Sequence, residues 1–441
     1  MQHSVDVLHA DENRGAASNG GRRSRALSEY IQSNERVDMT RKTNDTHWGE
    51  RTRAIHAGEG VDPTTRASSP NLVMSSTFAR DHVGGFSALN RTENDGFGYA
   101  RVSNPTVTQL AEKLAALERA EAALCFASGM AASHALMAGR LSHGDHLVVS
   151  DTNYVGTAEL VRDSLPRWGI DISPVDTSDL DEVANAITPK TKMLWIETPA
   201  NPIMRLSDIQ ALAELARGRG VEDVVVDSTF ATPMATRPLE LGADFVVHSL
   251  TKYIGGHGDA MGGAVLGRAA DLDALNLEAM VHYGGVLSPF NAWLILRGAA
   301  TFPLRMKAHE ETATAIARFL EGHDAVTRVY YPGLPSHPQH DLARRQMRNF
   351  SGMLTFQTRD DGRTVAERMI DGLEVIHYAV SLGHHRSLIY WIPTEMLMQS
   401  TFRLTPEAET RYRDFAGDGV FRFSVGIEDP DDLCADLDRV L

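Results

Sequence analysis

The chain has 441 residues, of which 42% are hydrophobic and 23% charged, a composition typical of a globular protein with more than one packed unit. Its formal net charge of −15 argues against a general affinity for nucleic-acid phosphates or anionic lipid surfaces. The two cysteines, Cys125 and Cys434, cannot build a metal cluster, and no apolar run reaches the ~20 residues that a membrane span needs.

Residues 1–48 differ in composition from the rest of the chain. They are rich in Asn, Ser, Arg, Asp and Glu and lack a long apolar period. This predicts a disordered extension, with a functional arm as the less favoured alternative. The N-terminus also lacks the apolar region of a secretory signal, so we expect a cytoplasmic protein.

From about residue 104 the chain alternates between helix and strand patterns. Asn104 followed by Pro105 predicts a helix start, and Ser207 with Gln210 predicts a capping box. Short continuous apolar runs predict strands that are buried on both faces of a mostly parallel sheet. These runs cover residues 124–127, 146–149, 193–196, 224–226, 245–247 and 264–266. Helices between such strands indicate a doubly wound α/β domain over 104–302.

The pattern changes beyond residue 302. A long helical pattern over 304–321 leads into a smaller mixed region, and Asp429 with Pro430 predicts a last helix that ends at Leu441. We therefore expect a smaller C-terminal α/β domain over 303–441.

A lysine follows the apolar run 245–247, in the sequence Ser249-Leu250-Thr251-Lys252. Such a lysine could serve as an amine nucleophile, and a pyridoxal-phosphate (PLP) enzyme needs one to form a Schiff base with its cofactor. The neighbouring hydroxyl and backbone N–H groups could bind the cofactor's phosphate. A surface lysine at a turn fits the tetrapeptide equally well.

Asp227 ends the apolar run 224–226, which places its carboxylate at the ligand-binding edge of the predicted sheet. There it could keep the ring nitrogen of PLP protonated. A turn or cap aspartate is the alternative. Ser128-Gly129-Met130 opens an Ala-rich helix after another apolar run, where a phosphate could bind, although small residues also begin helices for packing reasons.

Taken together, these segments resemble the Cys/Met-metabolism family of PLP enzymes, which includes cystathionine γ-synthase, cystathionine lyases and methionine γ-lyase. The resemblance covers about residues 52–441. Its most specific stretches are YARVSNPT at 99–106, ASGMA at 127–131, ETPANP at 197–202, DSTFATP at 227–233 and HSLTKY at 248–253.

The resemblance implies pyridoxal 5′-phosphate as cofactor and the type I fold of PLP-dependent transferases. It implies that Lys252 is the Schiff-base lysine and proton shuttle, and that Asp227 pairs with the pyridine nitrogen. Tyr154 is expected to stack on the ring and to act as general acid or base. Gly129, Met130, Ser249 and Thr251 are then the expected ligands of the phosphate within the subunit.

Further roles follow from the same resemblance. Tyr99 and Arg101 are expected to hold the cofactor phosphate of a neighbouring subunit, with residues 49–103 as the arm that carries them. The working unit is then at least a dimer, with a tetramer of two such dimers expected. Asn201 is expected near the cofactor's phenolic oxygen, Arg422 on the substrate's α-carboxylate, and Ser381 on the substrate side of the pocket. Glu197 could hold the active-site framework, with a solvated charge as the alternative.

The sequence departs from the family's pattern at three places. Arg386 replaces a glutamate that many members carry, and Gly156 stands where methionine γ-lyases usually have cysteine. A Pro-x-x-x-Thr-His stretch of several members is absent from residues 392–402. The adjacent His384 and His385 suit a metal poorly, so no metal site is expected.

The expected reaction acts on a small amino acid substrate. We expect γ-elimination, as in methionine γ-lyase, giving a 2-oxo acid, ammonia and a thiol. γ-Replacement, as in cystathionine γ-synthase or an O-acyl-homoserine sulfhydrylase, is the alternative. A cystathionine lyase or a PLP-binding regulatory protein is less favoured.

Overall fold

The computed structural model describes residues 47–85 and 96–441. The predicted disordered extension over 1–48 lies outside these residues, except for its last two. Over the described ranges, no helix combines the length and apolar character needed to cross a membrane.

A seven-stranded sheet forms the centre of the larger unit, in the order β1-β7-β6-β5-β4-β2-β3. The five strands that are adjacent in the order β3-β2-β4-β5-β6 pair in parallel. Strand β7 is antiparallel to both of its neighbours, β6 and β1. The strand bounds are β1 Ala122–Phe126, β2 His146–Ser150, β3 Asp171–Val175, β4 Thr191–Glu197, β5 Asp223–Asp227, β6 Phe245–Ser249 and β7 Gly263–Gly267. Each of the six predicted apolar runs overlaps one of these strands, which confirms the α/β fold class.

The central strands of this sheet carry apolar residues on both faces because both faces are covered. Along β4, Met193 and Trp195 pack into one core cluster and Leu194 and Ile196 into another. Successive side chains of a strand point to opposite faces, so these two clusters lie on opposite sides of the sheet. The sheet is therefore doubly wound, as predicted.

The helices that the structure assigns to these residues flank the two sheets. In chain order they are α1 Glu50–His56, α2 Pro105–Glu118, α3 Gly129–Arg140, α4 Val155–Glu159, α5 Leu180–Ala186, α6 Ile209–Gly218, α7 Thr232–Ala235, α8 Ala269–Asn276, α9 Pro289–Ala300, α10 Phe302–Glu321, α11 His340–Gln346, α12 Gly362–Gly372, α13 Thr394–Leu397, α14 Pro406–Ala416 and α15 Pro430–Asp438. Three π-helical turns, Leu160–Ser164, Leu277–His282 and Met398–Phe402, extend α4, α8 and α13.

Helix termini test the capping predictions. The Asn104 side chain accepts N–H bonds from Thr106 and Val107 at the start of α2, so that prediction is confirmed. The predicted capping box at Ser207 is wrong: Asp208 caps α6 by accepting from the Ala211 N–H. The Ser207 hydroxyl instead bonds to Thr177 at 2.8 Å. The last helix ends at Asp438 rather than at Leu441.

A five-stranded sheet, in the order β10-β11-β12-β9-β8, forms the smaller unit. Its bounds are β8 Val326–Tyr330, β9 Met353–Thr358, β10 His377–Tyr378, β11 Leu388–Pro393 and β12 Gly419–Ser424. Except for the parallel pair β10–β11, its strands are antiparallel. Apolar residues of α10, α12 and α15 pack on this sheet in one buried cluster. The predicted domain boundary at residue 302 falls at the first residue of α10, between the two sheets.

Candidate active site

A cavity of about 480 Å³ lies between the two sheets. Its walls come from the C-terminal ends of β4, β5 and β6, the start of α3, and β11 and β12 of the smaller sheet. Ligands of doubly wound sheets bind at this edge. The predicted site residues that line the cavity are Gly129, Met130, Tyr154, Asn201, Asp227, Ser249, Thr251, Lys252, Ser381 and Arg422.

Lys252 enters the cavity from the turn after β6. Its Nζ donates a hydrogen bond to the Ser381 hydroxyl at 2.9 Å. Burial, together with the nearby guanidinium of Arg422, lowers the pKa of Lys252 to about 8. Because a lysine attacks an aldehyde only as the neutral amine, this shift favours covalent attachment near neutral pH.

Ser381 holds its position through an unusual backbone conformation. Its φ of +86° lies in the left-handed region, which is costly for a residue with a side chain. In this conformation its hydroxyl accepts from Lys252 while its carbonyl accepts from the Arg422 guanidinium at 3.1 Å. Ser381 therefore orients both the amine of Lys252 and the guanidinium of Arg422.

Asp227 is the last residue of β5, so its carboxylate lies at the C-terminal edge of the sheet, where it lines the cavity. Its Oδ1 accepts from the Thr229 N–H at 3.0 Å. Burial raises the pKa of the Asp227 carboxyl, against the hydrogen bonds from Thr229 and the nearby His248. A cationic ring nitrogen beside this carboxylate would offset the desolvation of its charge.

The start of α3 forms a narrow cradle for an anion. The Ser128 hydroxyl accepts from the Ala131 N–H at 3.1 Å, and the other N–H groups of the first helical turn point out of the helix. A Cβ at residue 129 would lie 2.9 Å from Cβ of Ser249, and a Cβ at residue 263 would lie 2.1 Å from the Ser128 carbonyl oxygen. Glycine at both positions lets the start of α3 pack directly against Ser249 of β6 and Gly263 of β7, which holds Gly129 and Met130 at the cavity, where a phosphate could bind.

Tyr154 stands at the start of α4 with 43% of its surface exposed in the cavity. A Cβ at residue 156 would lie 2.7 Å from Cε1 of Tyr154, so the ring occupies the space that a side chain at Gly156 would need. The Tyr154 backbone N–H donates to Oε2 of Glu197 at 2.7 Å.

Arg422 reaches the cavity from β12. Its Nη1 donates to Oδ1 of Asn201 at 3.1 Å and its Nη2 to the Ser381 carbonyl. Burial lowers the pKa of the guanidinium to about 10, so it remains cationic at neutral pH. A buried arginine with a fixed planar fork suits the bidentate binding of a carboxylate.

Tyr99 and Arg101 do not line the cavity of their own chain. Tyr99 is 48% exposed, and the Arg101 guanidinium lies 5.5 Å from the centre of its ring. Arg101 also donates to the Val281 carbonyl. The two residues therefore form an exposed pair outside the cavity of their own chain. Their predicted role in a neighbouring subunit stays a prediction.

The sequence interpretation missed two parts of the site. Thr229 accepts from the Ser249 N–H at 2.9 Å and donates its own N–H to Asp227. Its place within the DSTFATP stretch was a signal that could have identified it. The second part is an apolar wall that no motif marks, formed by Val155, Val380, Tyr390, Ile392, Met396 and Leu397.

The residue types at the cavity fit pyridoxal phosphate. A buried lysine with a lowered pKa, a carboxylate at the strand end and a side-chain-free cradle at a helix start supply partners for an aldehyde, a pyridine nitrogen and a phosphate.

Comparisons with known proteins agree with this chemistry. The model of the Cys/Met metabolism PLP-dependent enzyme family matches residues 51–441. Cystathionine gamma-synthase of Mycobacterium tuberculosis is 44% identical over 393 residues, which cover 89% of this chain and 97% of the relative. L-methionine gamma-lyase of Fusobacterium nucleatum is 40% identical, covering 89% and 98%. The crystal structure of cystathionine gamma-lyase from Lactobacillus plantarum matches with a TM-score of 0.80 and 36% identity, covering 89% and 98%.

Proposed function

Because the chain belongs to the Cys/Met metabolism family of PLP-dependent enzymes, we propose that it removes the γ-substituent of a sulfur-containing amino acid by elimination. Its fold is the predicted type I fold of PLP-dependent transferases, and its cofactor is pyridoxal 5′-phosphate. With methionine as substrate, water and the amino acid would give 2-oxobutanoate, ammonia and methanethiol.

The apolar wall of the cavity is the feature on which we base the choice of substrate. Tyr390 lies opposite Arg422 in the register of β11 and β12, and Ile392 follows two residues later on the same face. Met396 and Leu397 continue this wall from α13. A substrate whose α-carboxylate binds Arg422 would thus extend its side chain along apolar groups. Arg386, which replaces the family's glutamate, is exposed and does not line the cavity. An uncharged thioether fits such a wall.

Each catalytic residue has a task that its position allows. When bound, the cofactor supplies an aldehyde for the lysine and a ring that accepts electron density from the substrate. Lys252 then receives the proton of the α-carbon and returns it, for which its lowered pKa is suited. Asp227 holds the ring nitrogen's proton, and Arg422 binds the α-carboxylate. Removal of a proton from the β-carbon then supplies the electron pair that expels the γ-substituent, and the Tyr154 hydroxyl protonates the departing sulfur.

γ-Replacement is the second candidate, favoured by the 44% identity with cystathionine gamma-synthase. It uses the same residues until the γ-substituent leaves, after which a thiol adds in its place. The two reactions therefore differ in whether the cavity admits a second substrate.

The substrate proposal predicts a preference that the purified enzyme should display. We expect kcat/KM for methionine to exceed that for cystathionine by at least about tenfold, because cystathionine would bury a distal ammonium and carboxylate against apolar groups. Met396→Lys should lower kcat/KM for methionine by about tenfold. The measurement is 2-oxo acid release with methionine, cystathionine, and O-acetyl- or O-succinylhomoserine, each with and without a thiol.

A surface substitution of the same kind serves as the control. Ile370 is 58% exposed on α12 and does not line the cavity, so Ile370→Lys should leave kcat/KM unchanged. If the enzyme joins an acylated homoserine to a thiol but releases no 2-oxo acid from methionine, replacement is the reaction and the elimination proposal is wrong.

We also propose that two subunits share each pair of active sites, with Tyr99 and Arg101 holding the cofactor phosphate of the neighbour. The position of both residues on the exposed arm, off their own cavity, supports this. A tetramer would combine two such dimers.

Two inactive variants should test the shared site by rescuing each other. In a mixed dimer of Lys252→Ala and Arg101→Ala, one site receives both wild-type residues and the other both defects. Random pairing then predicts recovery of roughly a quarter of the wild-type activity after co-expression. If Arg101 serves its own subunit, every site keeps one defect. Mixed oligomers without recovered activity would therefore refute the proposal.

We place the enzyme in the cytoplasm. Cys125 and Cys434, its two cysteines, are both free thiols in the structure, and Cys125 is buried, which is typical of proteins of a reducing compartment.

A further inference from the structure

Glu197 is a buried carboxylate whose role the proposed mechanism leaves open. It is the last residue of β4 and only 5% exposed. Oε2 accepts from the Tyr154 N–H at 2.7 Å and Oε1 from the Asn201 N–H at 3.0 Å. The two oxygens of one carboxylate thus hold the backbone of two separate loops.

Both loops carry groups of the active site. The loop of Tyr154 presents the ring that lines the cavity, and the loop of Asn201 presents an amide oxygen to Arg422 at 3.1 Å. Arg422 belongs to the smaller sheet, whereas Glu197 and Tyr154 belong to the larger unit. A continuous hydrogen-bonded path therefore runs from Tyr154 through Glu197 and Asn201 to Arg422 across the cavity.

The carboxylate keeps this position at an electrostatic cost. Glu197 is the register neighbour of Asp227 on β5, and burial followed by the charge of Asp227 raises the pKa of Glu197 well above its ordinary range. A neutral side chain would avoid this cost. It would not supply two acceptor oxygens, since glutamine has a single carbonyl oxygen and an NH₂ group that can only donate.

We propose that Glu197 is a positioning residue that fixes the phenol of Tyr154 relative to the carboxylate-binding fork of Arg422. The inference rests on the proposed function, because it assigns those two groups to the leaving group and to the substrate's α-carboxylate. A substrate held by Arg422 would then present its γ-carbon at a set distance from the Tyr154 hydroxyl.

Glu197→Gln tests this role with little change of shape. Its amide can accept from only one of the two N–H groups, so the hydrogen bond to either Tyr154 or Asn201 is lost. We expect kcat/KM to fall by at least about 30-fold, since misplacing reacting groups by 1 Å can cost about 100-fold. We also expect the circular dichroism of the bound cofactor's visible band to change, because the Tyr154 ring beside it shifts.

Asp436→Asn is the matched control. Asp436 is also a buried carboxylate that holds a backbone segment, because it accepts from the N–H groups of Glu374, Val375 and Ile376 at 2.9 to 3.0 Å. It lies on α15, away from the cavity. This variant should lower Tm while leaving kcat/KM and the cofactor's circular dichroism unchanged. A folded Glu197→Gln protein that behaves like Asp436→Asn would overturn the proposal.

A second variant covers the case in which Glu197→Gln does not fold. Glu197→Asp keeps two acceptor oxygens but is one methylene shorter, so a smaller fall in kcat/KM and the same change of the cofactor band are expected. Wild-type values of both would again overturn the role. If the wild-type enzyme acts on no γ-substituted amino acid while the band still changes in the Glu197 variants, the proposed function is wrong and the positioning role stands.

Discussion

Replacing Lys252 by alanine is expected to abolish turnover and covalent cofactor attachment together. Nζ of Lys252 is the amine in the cavity that can both bind the cofactor's aldehyde and carry the α-proton, and its pKa of about 8 leaves a useful neutral fraction at pH 7.5. Loss of a group that acts in several steps costs about 10⁴-fold or more in kcat. The measurements are 2-oxo acid release and the fraction of protein in which borohydride fixes the cofactor.

Two further lysine variants test whether activity needs an amine that can lose its proton or only a positive charge. Lys252→Arg keeps a cation beside Ser381 but cannot give up its proton near neutral pH, so it should be as inactive as Lys252→Ala. Lys192, an exposed residue paired with Glu222, should tolerate alanine without loss of activity. Turnover of Lys252→Ala at the wild-type rate would refute the mechanism.

Asp227→Asn is expected to keep the fold and lose most activity. The amide can still accept from the Thr229 N–H, so the local structure has a partner, but it carries no charge to hold the ring nitrogen's proton. The cofactor would then stabilise the substrate's carbanion poorly, and we expect kcat to fall by at least about 100-fold. Steady-state kinetics of the holoenzyme, with cofactor content measured in parallel, would test this.

The same strand provides the control for Asp227. Asp223 begins β5 and forms a partly buried pair with Arg140, with N–O distances of 2.7 and 2.8 Å. Asp223→Asn removes a carboxylate of similar burial at the opposite end of the strand, so it should reduce Tm and leave kcat unchanged. A near-normal kcat in Asp227→Asn would remove Asp227 from the site.

The sheet could be predicted from the sequence where burial on both faces gave a strand a continuous run of at least three apolar residues. β4, β5 and β6 are of this kind, and their lengths placed Asp227 and Lys252 at one edge. β3 was not predicted, since it lies at the sheet edge, is partly exposed and contains Pro174. The capping box was wrong and the predicted N-cap was off by one residue, because Ser207 and Asp208 both have capping side chains and the sequence does not tell which one faces the helix.

The candidate site was predictable where function requires a particular chemical group. Lys252, Asp227 and Arg422 each carry an ionisable group within a stretch that resembles the family. Ile392, Met396 and Leu397 have no such mark, because any apolar side chain of suitable size could stand on β11 and α13 at these positions. The part of the site to which we attribute substrate choice is therefore the part that the sequence shows least.

Gly129, Ser249 and Gly263 pack so closely that this part of the site cannot tolerate larger side chains. The apolar wall, in contrast, can tolerate substitutions. A single methyl group at residue 263 would meet the Ser128 carbonyl and displace the helix start on which we propose that the phosphate rests. No substitution there can be compensated by a rotamer change, since the neighbours are backbone atoms. New specificities must then arise on the apolar wall, where side chains meet side chains and can be exchanged. An enzyme built this way can acquire another substrate while its cofactor machinery stays untouched.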